Sequence, residues 1–178
     1  LILQKSNGDY STSLTYVSHE IYQGFPRYEK GPHVVGENGE TLCILLKDEF
    51  SETYVKYNIS ICKDADIVVK NFEITNKNKT PVNILRAMSY ELDLEHDKYE
   101  VHHFAGKWSD ERNEKINDVI DGTQIVSSNY GRSSHEFNPF IFICEKNASF
   151  SKGEAIGFNL IYSGNFKFEI LNDYTDTL

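Results

Sequence analysis

Regular alternation of apolar and polar residues is the feature that most restricts how this chain can fold. In residues 55–61 the apolar residues Val55, Tyr57, Ile59 and Ile61 are separated by Lys56, Asn58 and Ser60. A strand with one buried face and one solvated face requires this period of two, because successive side chains point to opposite faces. A second such run covers residues 67–75, and residues 76–81 after it have the composition of a turn between two antiparallel strands.

Further segments of the same kind predict strands along the rest of the chain. The longest begins at residue 82, where apolar side chains as far as Leu94 share one side with Arg86 as the only charge among them. The first residues are interpreted as a strand and a turn, and later strands are predicted at residues 99–104, 124–128, 140–144, 155–162 and 166–170. Residues 110–119 suggest a short helical turn with too few apolar residues to anchor it. Many short strands separated by turns indicate an all-β antiparallel sandwich.

Size and charge narrow the possible functions. A chain of 178 residues fits one domain, and no repeat or low-complexity linker divides it. Lys and Arg total 18 against 27 Asp and Glu, which gives a formal net charge of −9. An acidic surface repels phosphate groups, so nucleic acid and anionic membranes are not expected as partners. No apolar run approaches the roughly 20 residues that a membrane-spanning helix needs.

The three cysteines predict a reducing environment. Cys43, Cys62 and Cys144 lie far apart, and each has apolar, strand-like neighbours in the sequence. A reduced thiol in such a context behaves as a small hydrophobic side chain. We therefore expect buried free thiols and a cytoplasmic protein, with a disulfide or a metal site as the alternative.

Five stretches occur in an order typical of a known family. They are residues 14–19 (LTYVSH), 82–99 (VNILRAMSYELDLEHDKY), 106–112 (GKWSDER), 131–140 (GRSSHEFNPF) and 153–166 (GEAIGFNLIYSGNF). In this order they resemble the N-terminal domain of bacterial α-galactosidases of glycoside hydrolase family 36. The resemblance covers residues 14–169 and implies a large two-sheet sandwich (a supersandwich) like that of galactose mutarotases. It also implies one domain over residues 1–178 that lacks part of its N-terminal side.

The resemblance implies a domain without catalytic residues. The family's nucleophile and acid/base aspartates lie on a (β/α)8 barrel, which needs about 250 residues of alternating strand and helix. No residue of this chain matches either aspartate, and no cofactor is expected. The implied partners are that barrel in the same parent chain, further copies of the parent in a homo-oligomer, and α-galactosides of the melibiose or raffinose type. The parent would hydrolyse these sugars with retention of configuration.

Two candidate site residues lie in the stretch that contains the only tryptophan. An exposed indole at Trp108 would stack on a galactose ring or on a partner surface. The alternative is that Trp108 packs into a seam between domains or fixes its loop onto the sandwich. Arg112 would pair with a carboxylate across that seam or remain a solvated surface residue.

A second group of candidates lies in residues 131–140, which the family places on the side facing the barrel. His135 would hydrogen-bond a neighbouring loop and fix its shape, or would contact sugar directly. Arg132 and Asn138 are expected to fix the same loop through backbone hydrogen bonds. Pro139 then prepares the turn into the strand at Phe140.

Histidines and carboxylates elsewhere have simpler interpretations. His102 and His103 are adjacent, with His96 nearby, and neighbouring strand residues point to opposite faces, so no metal site is expected. Acidic residues at positions 91, 93, 95 and 97 would share one strand face, which is typical of a solvated sheet surface. The competing interpretation is an acid–base pair. The carboxylates in question are Glu91, Asp93, Glu95 and Asp97.

Two other functions remain open at this point. A free-standing carbohydrate-binding sandwich would need several exposed aromatic side chains on one face. A mutarotase-like enzyme would need an acid and a base, such as a histidine and a glutamate, that converge from separate strands.

Overall fold

The computed structural model describes residues 1–36, 38–94 and 99–172. Within these residues all regular secondary structure is β-strand, and every pair of neighbouring strands is antiparallel. The all-β antiparallel prediction is therefore confirmed. By internal contacts the chain divides into two compact units, Leu1–Glu91 and Leu92–Leu178. A single domain over residues 1–178 remains a prediction.

Among the described residues, no helix has the length and apolar character needed to cross a membrane.

The first unit contains a four-stranded antiparallel sheet and a smaller pair of strands. Its strands are β1 (Ile2–Gln4), β2 (Leu14–Gln23), β3 (Gly39–Asp48), β4 (Thr53–Cys62), β5 (Val68–Asn76) and β6 (Asn83–Arg86). Strands β2 to β5 are neighbours in chain order, and β1 pairs with β6. In the smaller pair Leu3, which is fully buried, lies opposite Ile84.

The four-stranded sheet buries polar side chains that alternation predicted to be solvated. Strand β4 covers the predicted residues 55–61, but Asn58 and Ser60 are fully buried whereas Ile61 is 47% exposed. Residues 24–36, hereafter the crossing loop, form hydrogen bonds with side chains on this buried polar face. Thr41 Oγ1 donates to the Gly24 carbonyl at 2.7 Å and shares a hydrogen bond with Ser60 Oγ at 2.8 Å. Hydrogen bonding removes most of the cost of burying these groups.

A buried carboxylate closes the turn between β3 and β4. Asp48 is fully buried and accepts hydrogen bonds from the backbone amides of Ser13 and Ser51, each at 3.0 Å, and from the Ser51 hydroxyl. Burial raises the pKa of this carboxyl group, but the three hydrogen bonds outweigh it and hold the pKa below its ordinary value.

Two predictions for the first unit need correction. Strand β6 ends at Arg86, so the predicted long strand does not continue to Leu94. The turn at residues 76–81 is confirmed, with Asn76 Nδ2 bonded to the Thr80 carbonyl at 2.8 Å, but the strands on either side do not pair with each other. Strand β5 pairs with β4, and β6 pairs with β1. Strands β2 and β3 were not predicted at all.

The second unit is built from a four-stranded and a two-stranded sheet. Its strands are β7 (Tyr99–Lys107), β8 (Asp110–Asp118), β9 (Gly122–Ser128), β10 (Phe137–Glu145), β11 (Ala155–Asn159) and β12 (Phe166–Asn172). The larger sheet has the order β11-β10-β7-β8, and β12 pairs with β9. The two sheets enclose one apolar core, made of Val101, Ile141 and Ile143 from the larger sheet and Val126, Phe166 and Ile170 from the smaller.

The predicted helical turn at residues 110–119 is wrong, because β8 occupies these residues. Its side chains are mostly exposed and polar, so they show no alternation. The strand is held by its backbone pairing with β7, from Glu100 opposite Asp118 to Lys107 opposite Asp110. Such a strand carries no periodic apolar signal in its sequence.

Candidate functional site

Three of the five resemblance stretches come together at one end of the second unit. The backbone amide of Gly106, beside the β7–β8 turn, donates to the Glu136 carbonyl at 3.1 Å. The Ser133 amide donates to the Ser163 carbonyl at 3.0 Å, and the Gly131 amide to Asn165 Oδ1 at 2.6 Å. The stretches 106–112, 131–140 and 153–166 are therefore joined by hydrogen bonds between parts of the chain that are distant in sequence.

The β7–β8 hairpin presents Trp108 to solvent. Trp108 and Ser109 form the two-residue connection, in which Ser109 has a φ of 62°, and Trp108 is 84% exposed. Gly106 has no space for a side chain, since an added Cβ would lie 2.6 Å from the Asp110 carbonyl oxygen. Arg112 follows with a φ of 57° and is exposed. Trp108 therefore does not fix the loop by packing, and the roles of Trp108 and Arg112 remain predictions.

The loop between β9 and β10 is fixed mainly by its own serines and backbone. Ser128 Oγ donates to the Arg132 carbonyl at 3.0 Å, and Ser134 Oγ accepts from the Glu136 amide at 3.2 Å. His135 and the Arg132 side chain are exposed, and Asn138 is half-buried in β10. The contact of His135 with a neighbouring loop or with sugar, and the fixing of its own loop by Arg132 and Asn138, remain predictions. The loop-fixing role of Asn165 was not predicted, because an isolated asparagine carries no pattern.

A histidine and two glutamates converge on the outer face of the larger sheet. His102 Nδ1 lies 2.8 Å from Glu114 Oε1, and His102 Nε2 lies 3.1 Å from Glu100 Oε1. Both ring nitrogens are engaged by carboxylates, so neither is available to a sugar hydroxyl. The cluster thus contains the residue types of a mutarotase-like pair without a free base.

His103 lies on the opposite, inner face, as adjacent strand residues were predicted to do. It lines a cavity of about 260 Å³ with core residues such as Val101 and Ile170. Its Nδ1 is buried, and within the described residues it has no hydrogen-bond partner. No group of three or more His, Cys, Asp or Glu side chains in residues 1–36, 38–94 and 99–172 is arranged to hold a metal ion.

The acidic residues do not form the strand face that was predicted for them. Glu91 and Asp93 lie outside any strand, so the shared strand face was wrong for these two, and Glu95 and Asp97 lie outside the described residues.

All three cysteines are free, with Cys43 and Cys144 buried and Cys62 half-buried. Burial raises the pKa of the Cys43 and Cys144 thiols, which keeps them protonated and unreactive.

A polar cluster that was not predicted lies under the crossing loop. The Tyr28 hydroxyl donates to Asn71 Oδ1, and Asn58 Nδ2 donates to the same oxygen at 3.0 Å and to Tyr28 Oη at 3.2 Å. Beside this cluster an open cleft of about 620 Å³ is lined by residues 27–32 and 71–73. The three residues are separated by up to 43 positions, so sequence spacing gives no sign of them.

Comparison with known proteins decides the family. The family described as "Glycosyl hydrolase family 36 N-terminal domain" matches residues 1–178, which is the whole chain. The chain is a family 36 N-terminal domain. The resemblance found in the five stretches is thereby confirmed.

Relatives of this family 36 domain are much longer proteins. Alpha-galactosidase AgaA of Geobacillus stearothermophilus is 34% identical over 98% of this chain and 24% of its own length. Alpha-galactosidase C of Emericella nidulans is 31% identical over 94% of this chain and 23% of its own length. The domain thus spans about a quarter of the length of the curated relatives that it matches.

Solved structures extend the comparison to three dimensions. The crystal structure of the Geobacillus stearothermophilus AgaA enzyme matches 99% of this family 36 domain with a TM-score of 0.92, and the domain covers 25% of that chain. The galactosidase domain of the alpha-galactosidase–sucrose kinase AgaSK matches with a TM-score of 0.93 at 29% identity. A variant of the Geobacillus enzyme has been solved in complex with raffinose.

Proposed function

We propose that this chain is the non-catalytic N-terminal domain of an α-galactosidase that hydrolyses terminal α-D-galactosides, of the melibiose and raffinose type, with retention. The observation that carries the proposal is the coverage of the relatives. Alpha-galactosidase AgaA matches the chain almost from end to end, while about three quarters of its own length lies outside the match. The chemistry belongs to that remaining part.

The domain's role is to support the catalytic barrel of the parent chain and to contribute contacts in a homo-oligomer. The docking surface consists of the hairpin with Trp108 and the loop with His135. The Gly106–Glu136 hydrogen bond joins these two segments into one surface. A tryptophan that is 84% exposed is a typical anchor for an interface. Free thiols at Cys43, Cys62 and Cys144 support a cytoplasmic location.

The deciding experiment compares hydrolysis of an aryl α-galactoside by this chain alone and by its full-length parent. We expect turnover by the parent and none by the chain. Turnover by the purified chain would overturn the non-catalytic assignment. An inactive parent that also fails on melibiose and raffinose would overturn the α-galactosidase assignment.

A further inference from the structure

The cleft beside the crossing loop has the volume of a small-ligand site. Its volume of about 620 Å³ lies within the roughly 300–1,000 Å³ of typical ligand pockets. One wall is the exposed segment of residues 27–32, and the other is the portion of the edge strand β5 at residues 71–73. All of these residues belong to the first unit.

The polar cluster of Tyr28, Asn58 and Asn71 links both walls of the cleft to the sheet. Tyr28 and Asn71 both line the cleft, and both are bonded to Asn58, which is fully buried on the central strand β4. Asn58 Oδ1 is itself buried and has no partner within the described residues. A fully buried amide with an unsatisfied oxygen costs about 1–3 kcal/mol.

The rim of the cleft carries charged side chains that form no ion pair with other described residues. Arg27, Lys30, Glu29 and Glu73 line the cleft, and none of them makes an ion pair or a side-chain hydrogen bond within the described residues. Two cations and two anions cancel, so the lining is neutral in a chain whose net charge is −9. A lining without net charge gives no net electrostatic preference for an anionic or a cationic ligand over a neutral one.

We propose that this cleft binds a neutral saccharide of one or two rings. Arginine and lysine donate to hydroxyl and ring oxygens, and carboxylates accept from hydroxyl groups, so the rim offers both partners that a polyhydroxylated ligand needs. Pro32 lines the cleft and supplies apolar surface for the C–H face of a pyranose. Only the choice of sugar for the test rests on the proposed α-galactosidase function.

Titration of the ¹⁵N-labelled chain with D-galactose and with the two-ring sugar melibiose tests the proposal. We expect saturable shifts of the backbone amides at residues 27–31 and 71–73, and of the Asn71 side-chain amide, with a dissociation constant on the order of 1 mM for an open site. Because Arg27 and Glu73 are exposed, Arg27→Ala and Glu73→Gln should keep the fold while weakening binding at least tenfold. Lys79→Ala and Glu111→Gln, which remove exposed charges elsewhere, should bind like the wild type.

The possible results separate clearly. No saturation with either sugar up to about 50 mM, well above the expected dissociation constant, would overturn the proposal. So would shifts that map away from the cleft, or that persist unchanged in Arg27→Ala and Glu73→Gln. Activity of the full-length parent on an aryl α-galactoside is measured separately, so an inactive parent whose domain still binds sugar contradicts only the proposed function.

Discussion

His102 and His103 are neighbours in β7, yet their imidazoles occupy opposite faces of one sheet and have opposite pKa shifts. Burial lowers the pKa of His102, but the hydrogen bonds with Glu114 and Glu100 outweigh burial, and the pKa is raised above its ordinary value. Burial lowers the pKa of His103, and the Lys115 ammonium lowers it further. Two adjacent residues thus differ in protonation: the surroundings of His102 stabilise the protonated imidazole, and those of His103 stabilise the neutral one.

Replacing His102 should destabilise the chain more in acid than in alkali. A raised pKa in the folded state adds stability below the unfolded pKa of about 6.5, and this contribution disappears as the pH rises through the folded pKa. His102→Gln should therefore lower the free energy of unfolding more near pH 5.5 than near pH 9. Denaturant unfolding at both pH values measures the difference, with the exposed His135→Gln as control. Equal losses at the two pH values would contradict the His102–glutamate interaction.

Replacing His103 should have the opposite pH dependence. Its lowered folded pKa means that the unfolded chain binds a proton first, so stability falls as the pH drops below about 6.5, by up to about 1.4 kcal/mol for each pKa unit of difference. His103→Leu removes this proton uptake, so its stability relative to the wild type should improve between about pH 7.5 and pH 5. Urea unfolding across that range checks the slope. A gap between the two proteins that is independent of pH would refute the assignment.

Asp48 should be among the most sensitive positions of the first unit. Asp48→Ala leaves the Ser13 and Ser51 amides without their acceptor in a buried site, which should cost about 2–4 kcal/mol of unfolding free energy. Because its folded pKa is depressed, this stabilisation is present above the unfolded pKa of about 3.9 and is lost as the pH falls through the folded pKa. Equilibrium unfolding near neutral pH, with the exposed Asp66→Asn as control, gives the value. A loss as small as that of the control would show that Asp48 is dispensable.

Trp108→Ala should leave the stability of the isolated chain almost unchanged. The side chain is 84% exposed, and surface substitutions usually change the free energy of unfolding by less than about 0.5 kcal/mol. If Trp108 anchors the barrel as proposed, the same change in the full-length parent should lower its melting temperature by several degrees. Calorimetry on both proteins makes the comparison. Unchanged melting of the parent would remove Trp108 from the docking surface.

Sequence periodicity predicted most of the strands that have an apolar face, but it missed β2 and β3 and failed for β8, which has no such face. Strand β12 follows its alternation closely, and β4 lies where it was predicted although its polar residues Asn58 and Ser60 are buried. Strand β8 has polar residues on both faces, and its prediction as a helical turn is wrong. Alternation also cannot show whether a neighbouring strand is available, which is why the predicted strand from residue 82 stops at Arg86. For the site, the stretches marked residues 106–112 and 131–140, but they showed neither the hairpin at the first of these nor the hydrogen bonds that join the two. The Tyr28–Asn58–Asn71 cluster was out of reach because only folding brings these residues together.

The pairing of β1 with β6 has a consequence for the order of folding. Ile2 lies opposite Arg86, so this contact closes a loop that includes nearly the whole first unit, whereas β3 and β4 are joined by a short turn. Closing a longer loop costs more entropy, and contacts between distant residues form more slowly. The β2–β5 sheet should therefore assemble first and the buried Leu3 should arrive last. Until β1 pairs with β6, the backbone edge of β6 that β1 occupies is unpaired. A nascent chain with this unpaired edge is the species most prone to pair with a wrong strand.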